Sequence, residues 1–341
     1  MDRVLEIGGL AAGYCGRMFV QAGCEVVRVA AASLAPSEHS SDALDVYLHA
    51  GKRRVQTDDL KIIGELANRA DVVVAETPTA QGLKDLGFDD WRAPVKAAIT
   101  PFGRTGPKKN WSATPGTLLA MGGYTYLMGD EDRAPLTLPG HYAEFQSGGF
   151  AYTAANASRL AEEENVIDIG MFESVMALSQ FTTVMWTCAG EIRSRHGNDF
   201  VYVSPSNLYR CADGWVYINI TPHFWDALAT AVDRPELVVD PRFETNADRM
   251  ANREALNEIL AEAFAPMSTA EVLARATEHR FPCGELKTFD EVLRDPHLAE
   301  RDFWQQVESA HGRLASPRIG WRMHGTSPRP AVLSVQEQQG G

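Results

Sequence analysis

The sequence predicts an α/β fold: a large domain on a parallel sheet, followed by a smaller domain of different character. Three observations predict it. First, the strand Val4–Ile7, the glycine turn Gly8–Gly13, the helix Gly16–Ala22 and the strand Glu25–Val29 form a strand–turn–helix–strand unit. Such units lay parallel strands side by side, with the ligand edge at the turn. Second, short apolar runs at Asp71–Ala75, Val95–Thr100 and Val166–Ile169 continue the sheet, with a helical stretch at Asp59–Asn68. Third, the chain after His196 turns polar and then gives an alternating strand, Trp215–Ile220, and amphipathic helices at Asn252–Phe264 and Thr269–His279.

Between these elements, Ala30–Ser41 reads as a small, polar loop and Leu44–Val55 carries the adjacent cations Lys52, Arg53 and Arg54. The loop Pro101–Pro107 directly follows a strand, and its glycines, prolines and Arg104 suit a ligand-facing turn. Pro115–Gly123 is a helix or turn of small residues, Phe145–Arg159 a long helix and Met171–Cys188 a largely apolar one. His196–Arg210 reads as an irregular linker, and the Gln/Gly tail after Ser334 as disordered. Asp168, within an apolar strand, is expected to be a buried acid bonded to backbone N–H groups.

The composition is that of a globular protein, with 341 residues, 45% hydrophobic and 23% charged. A formal net charge of -13 argues against nucleic acid or an anionic membrane as partner, while a locally basic pocket for phosphate stays open. Five scattered cysteines with no Cys-x-x-Cys pair support neither a zinc ribbon nor a disulfide framework. No apolar run has the length of a membrane span, and a reducing, cytoplasmic location without metal is expected.

Pro139–Gly149 is the stretch with most chemistry. It sets Glu144 at the start of a helix, near unsatisfied N–H groups and a positive dipole end, and follows it with Ser147, Gly148 and Gly149. Glu144 reads either as a first-turn cap or as a reactive carboxylate, and His141 lies three residues before it. The basic cluster reads either as a solvated turn or as a phosphate receiver. A dinucleotide fingerprint would need glycine at Leu10 and an acid at Arg28, so nicotinamide cofactors are a remote option. No nucleophile elbow, His-Glu-x-x-His or Walker loop is present.

An ordered set of motifs spans nearly the whole chain. It runs Val4-Leu-Glu-Ile7, Ala12-Gly-Tyr-Cys-Gly-Arg17, Gly23-Cys-Glu-Val-Val-Arg-Val29, Gly51-Lys-Arg-Arg-Val55, Asp71-Val-Val-Val74 and Phe102-Gly-Arg-Thr-Gly-Pro107. It continues through Val166-Ile-Asp-Ile169, Gly197-Asn198, Ala212-Asp-Gly-Trp-Val216, Phe281-Pro-Cys-Gly-Glu-Leu286 and Val292-Leu-Arg-Asp-Pro296. In this order the set resembles the family III CoA-transferases, the CaiB/BaiF group that includes formyl-CoA transferase and the α-methylacyl-CoA racemases. The resemblance implies a large Rossmann-like domain over 1–190, to which 321–341 returns. It further implies a linker at 191–210, a smaller α+β domain at 211–320, and an interlaced homodimer, with a hetero-oligomer as the variant.

The resemblance also implies chemistry: CoA is passed between carboxylic acids through a covalent acyl intermediate on a carboxylate, with an acyl-CoA and a small acid as substrates. The family's Ala-Asp-Phe/Leu motif falls on Ala143-Glu144-Phe145, which makes Glu144 the catalytic residue with one extra methylene. The matching motifs place CoA contacts at Gly13, Arg28, Lys52, Arg53, Phe102, Gly103 and Arg104. The chain departs from the pattern at Glu76-Thr-Pro-Thr-Ala80, where the family reads Asn-Phe-Arg-Pro-Gly, at Ala30 and at Asp85. By the resemblance the racemase bases fall on Thr114 or Thr117 and on Thr221, which argues against two-base racemization. The alternative to a transferase is a degenerate member acting as an acyl-CoA-binding or partner subunit.

Overall fold

The computed structural model describes residues 2–30, 42–200, 202–309, 312–321, 332–334 and 336–338; most of the Ala30–Ser41 loop lies outside them. The chain divides into two units, one of Met1–Thr125, Thr137–Ile192 and Pro296–Gly341, the other of Tyr126–Leu136 and Arg193–Asp295.

The first unit begins β1 (Arg3–Ile7), α1 (Leu10–Ala22), β2 (Glu25–Ala30), α2 (Asp42–His49), β3 (Arg53–Gln56), α3 (Leu60–Ala67) and β4 (Val72–Glu76). It continues with α4 (Ala80–Asp85), β5 (Val95–Thr100), α5 (Pro115–Met121), α6 (Tyr142–Leu160), β6 (Asn165–Gly170), α7 (Met171–Leu178) and α8 (Gln180–Ala189). The strands form the expected parallel sheet, in the order β3-β2-β1-β4-β5-β6. A strand far along the chain, Gln336–Gln338, extends it in parallel register with Arg53–Val55, so that part of the supposed disordered tail is ordered by ladder hydrogen bonds.

Alternation along the strands decides both faces of the sheet. Val4, Val72, Val74, Val95, Ala97 and Ile99 pack on the α1/α6 side, while Leu5, Ile7, Val73, Ala75 and Ala98 pack on the α3/α4 side. Parity therefore sends Glu6 and Glu76 to the α1/α6 face. On α6 a stripe of small residues, Ala143, Ser147, Gly148, Ala151 and Ala155, is buried. A side chain at Gly148 would collide with the Ala11 carbonyl oxygen and stand 3.2 Å from the Cys15 amide nitrogen. The space at Gly148 is thus filled by α1 of the same chain, while Gly149 has nothing within 4 Å of an added Cβ. Gly148→Ala is expected to cost about 1–3 kcal/mol by forcing the helices apart, read as a lowered denaturation midpoint, with Gly149→Ala near neutral.

The second unit holds β7 (Ser206–Arg210), β8 (Trp215–Asn219), α9 (Trp225–Ala231), α10 (Asn246–Ala251), α11 (Arg253–Phe264), α12 (Thr269–His279), β9 (Cys283–Glu285) and α13 (Phe289–Leu293). Its three strands are antiparallel, and its core gathers Tyr209, Val216, Ile218, Trp225, Leu228, Phe243, Leu256, Leu260 and Phe264. Ser206–Arg210, expected within an irregular linker, is a strand here. Its polar composition hid the pattern, but Ser206 and Tyr209 are buried and β8 pairs along its length.

The chain then returns to the first unit with α14 (Pro296–Glu300), β10 (Trp304–Ser309), β11 (Gly312–Pro317), β12 (Val332–Ser334) and β13 (Gln336–Gln338), the last being the added sheet strand. Buried Arg17 on α1 secures the return by donating to the carbonyls of Tyr47 and Pro317. All five cysteines are free thiols.

Candidate active site

The sheet order reverses direction at β1: β2 and β3 lie on one side, β4, β5 and β6 on the other. Loops leaving β1 and β4 at their C-terminal ends diverge, and such a switch point opens a crevice for a ligand. Gly8 and Gly9 form one wall. Gly8 has φ 110° and its α-carbon faces the Glu76 backbone, so a side chain there would be both strained and obstructed.

α6 starts at Tyr142, three residues earlier than the sequence pattern suggests, with His141 as its N-cap residue. Glu144 therefore lies in the first turn, near N–H groups that have no helical partner and at the positive end of the helix dipole. It is buried, only 8% exposed, and its Oε1 is 3.4 Å from Nδ1 of half-exposed His141. The neighbouring Phe145 ring stacks on Tyr14 of α1 at 4.7 Å, which anchors this turn against α1.

α1 also starts early, at Leu10 rather than after Gly13, because its N-terminus is held from outside the helix. Oε2 of Glu76, at the end of β4, accepts from the Ala12 N–H at 2.8 Å. Oε1 of Glu76 would lie 2.5 Å from a Cβ on Gly9, so only glycine admits this carboxyl. Burial pushes the Glu76 carboxyl up to about 7; the Glu144 charge adds to the rise and the Ala12 and Ala11 N–H groups oppose it.

Behind the crevice lies a buried charge cluster around Glu6. Lys52 bonds to its Oε2, Arg28 donates to its Oε1 at 2.6 Å, and Lys52 Nζ also reaches the Gly13 carbonyl at 2.7 Å and His49 Nδ1 at 3.3 Å. Burial pulls the Lys52 ammonium down to about 8 against the opposing pull of Glu6, and holds His49 well below the ordinary histidine range. Gly16 leaves room for this cluster, since its Cβ would strike Glu6 Oε2.

The loop after β5 forms another part of the ligand edge. The Arg104 N–H donates to both oxygens of Asp168 at 3.0 Å, and its guanidinium pairs with Asp89 and lies 5.3 Å from the Phe88 ring centre. Asp168 is exposed rather than buried because β6 is the sheet edge, yet it does bind backbone as expected. Gly103 turns the loop with φ 77°. Phe102 packs on Phe172 at 5.9 Å and on Trp111 at 6.2 Å, and Lys108 Nζ sits 5.4–5.9 Å from the three ring centres.

Of the residues singled out in the sequence, Gly13, Arg28 and Lys52 come together around Glu6, and Phe102, Gly103 and Arg104 share one loop. Arg53 stands on β3 in register with Val27. Thr114 caps α5 and receives from the Thr117 N–H. Sequence reasoning missed Glu6 and Lys108. The signal for Glu6 was an acid inside the apolar run Val4-Leu-Glu-Ile7; Lys108 gave none beyond its nearness to the loop. Among the described residues, no cluster is arranged to hold a metal ion and no helix is long and apolar enough to cross a membrane.

The sequence profile of CoA-transferase family III matches residues 2–333. The chain belongs to that family. Its CoA-transferase relatives include succinyl-CoA–D-citramalate CoA-transferase of Chloroflexus aurantiacus, 28% identical over 88% of this chain and 81% of the relative. Succinyl-CoA:mesaconate CoA-transferase of Haloarcula hispanica is 28% identical over 90% and 84%. The fold matches Rv3272 of Mycobacterium tuberculosis, with TM-score 0.85, 23% identity and coverage of 99% of this chain and 96% of that one. A CaiB/BaiF family protein from Brucella suis matches with TM-score 0.82 and 22% identity over 100% and 95%.

Proposed function

We propose that this family III member transfers CoA between two carboxylic acids, with Glu144 as the covalent carboxylate. One observation supports the reading: Glu144 is a buried carboxylate in the first turn of α6, beside His141 and next to Phe145, which stacks on α1. Its carboxylate attacks the acyl-CoA thioester carbon, the C–S bond breaks, and a mixed anhydride and CoA thiolate result. The thiolate attacks the Glu144 carbonyl, releasing the donor acid and leaving a glutamyl–CoA thioester. An acceptor carboxylate attacks that thioester, and the freed thiolate then takes the acceptor's acyl group, restoring Glu144. The names of the relatives make succinyl-CoA and short dicarboxylic acids the first substrates to try.

Of the CoA contacts, Phe102, Gly103 and Arg104 stand on the ligand edge, while Gly13, Arg28 and Lys52 support it from behind through Glu6. That commitment of two cations to Glu6 favours the second reading, an acyl-CoA-binding or partner subunit without turnover. Trapping separates the two. Incubation with acyl-CoAs and then hydroxylamine or borohydride is expected to modify the peptide containing Glu144, as read by mass spectrometry. No adduct and no CoA binding by calorimetry would overturn the transferase reading.

The homodimer is part of the same proposal. Val184 and Trp186 on α8, with Ile192 just beyond it, are large apolar side chains 53%, 55% and 69% exposed in the single chain, which a second copy would cover. Analytical ultracentrifugation is expected to give a dimer at micromolar concentration, and a stable monomer would contradict it.

A further inference from the structure

The transfer of CoA between two acids moves no proton. Its nucleophiles are the Glu144 carboxylate, the CoA thiolate and the acceptor carboxylate, all of them anions, so none needs a base. Yet a histidine stands against the reacting carboxyl. Nδ1 of His141 is 3.4 Å from Glu144 Oε1, and the His141 side chain is 32% exposed, which leaves part of the ring open to water.

The backbone holds this ring in place. Gly140, at φ 92°, turns the chain into α6, and His141 stops just outside the helix with its carbonyl accepting from the Phe145 N–H at 2.9 Å. Its imidazole lies 6.0 Å from the Phe145 ring, the same ring that stacks on Tyr14. Residues favoured at an N-cap use a side-chain oxygen to satisfy a first-turn N–H. His141 makes no such cap bond, so helix capping does not explain a histidine here.

We infer that His141 is a general base that directs water onto the glutamyl–CoA thioester, giving the enzyme a second activity: hydrolysis of acyl-CoA when no acceptor acid is bound. The inference rests on the reading of Glu144 as nucleophile. Water, unlike a carboxylate, must lose a proton as it attacks, and an imidazole carrying its own proton on Nε2 offers Nδ1 to take it. The Glu144 carboxyl carbon lies one bond beyond Oε1, so a water within about 3 Å of Nδ1 also reaches that carbon. As the water oxygen bonds to the carbon, Nδ1 takes one proton. The C–S bond then breaks, and the departing thiolate receives that proton from the imidazolium. The water's other proton is shed as the restored Glu144 carboxyl ionises. Added to the first half of the transfer, one acyl-CoA and one water give the free acid and CoA.

The test compares two rates on the same preparations of wild type and His141→Gln. One is the release of free CoA from succinyl-CoA without an acceptor, with the enzyme-free rate subtracted; the other is transfer from succinyl-CoA to a dicarboxylate. Gln can still donate to Glu144 through its amide N–H, but it is no base. Wild type is expected to hydrolyse succinyl-CoA, and the ratio of hydrolysis to transfer to fall about 10²-fold in His141→Gln. A loss of folding or of Glu144 positioning lowers both rates and leaves the ratio where it was. A single turnover in H₂¹⁸O, with enzyme in excess, locates the attack: wild type is expected to gain one ¹⁸O in the peptide containing Glu144, read by mass spectrometry. No hydrolysis by wild type, an unchanged ratio in His141→Gln, or no ¹⁸O in that peptide would overturn the inference. With a trapped adduct on Glu144 these outcomes leave the nucleophile standing, whereas the lack of any adduct removes the nucleophile and this second activity together.

Discussion

Glu144→Gln is expected to lower the rate of CoA transfer by about 10⁴-fold or more while leaving the melting temperature close to that of wild type. An amide is no nucleophile towards a thioester, and it is close in size to the carboxyl it replaces. Steady-state transfer between succinyl-CoA and a dicarboxylate, followed by chromatography of the two CoA esters, measures the loss. Glu144→Asp is the more informative partner. It restores the family's usual nucleophile but withdraws the carboxylate by one methylene from the place it holds in the first turn of α6, a turn anchored by the Phe145–Tyr14 stack. A misplacement of about 1 Å costs on the order of 10²-fold in rate, so Glu144→Asp is expected to fall between wild type and Glu144→Gln. Full transfer activity in Glu144→Gln would remove Glu144 from the chemistry.

The second large effect is on stability. Lys52→Met is expected to destabilise the protein by roughly 3–5 kcal/mol, because it strands the Glu6 carboxylate in the interior. Glu6 and Lys52 are both essentially inaccessible, at 0% and 1% exposed. Arg28 would remain on Glu6, yet the Gly13 carbonyl and His49 would also lose their contact with the ammonium. A melting temperature lower by on the order of 10 °C is the corresponding observable. Glu6→Leu combined with Lys52→Met is expected to recover much of the loss, since a well-packed apolar pair is often as stable as a buried ion pair. If Lys52 instead served chiefly as a phosphate cation, the single variant would keep its melting temperature and raise the KM for acyl-CoA.

These two residues illustrate how unevenly the site could be read. Glu144 was legible because its neighbours in sequence are its neighbours in space: the cap, the first turn and the glycines all belong to one stretch. Lys52 was legible as a cation but not as a buried one. In sequence it sits in a basic cluster that reads as a phosphate receiver or a solvated turn, and only Glu6, 46 residues earlier and one strand away from β2, turns it inward. Glu76 was noticed as a departure from the family pattern, but its hydrogen bond to Ala12 spans 64 residues. The early start of α1 had the same cause, because its N-terminus is capped by a side chain from β4 rather than by a neighbour in sequence.

The sequence by itself determined the parallel α/β architecture, the positions of β1, β2, β4, β5 and β6, the family, and Glu144 as the residue to test. Those depend on period-2 and helical apolar patterns and on motifs whose order along the chain is preserved. The tertiary structure alone decided which faces the acids occupy, that Gly148 makes room for α1, that Asp168 lies on an edge strand, and that a far C-terminal strand completes the sheet. Each of these is a contact between distant segments, and local propensity carries no term for a partner that arrives from another part of the chain.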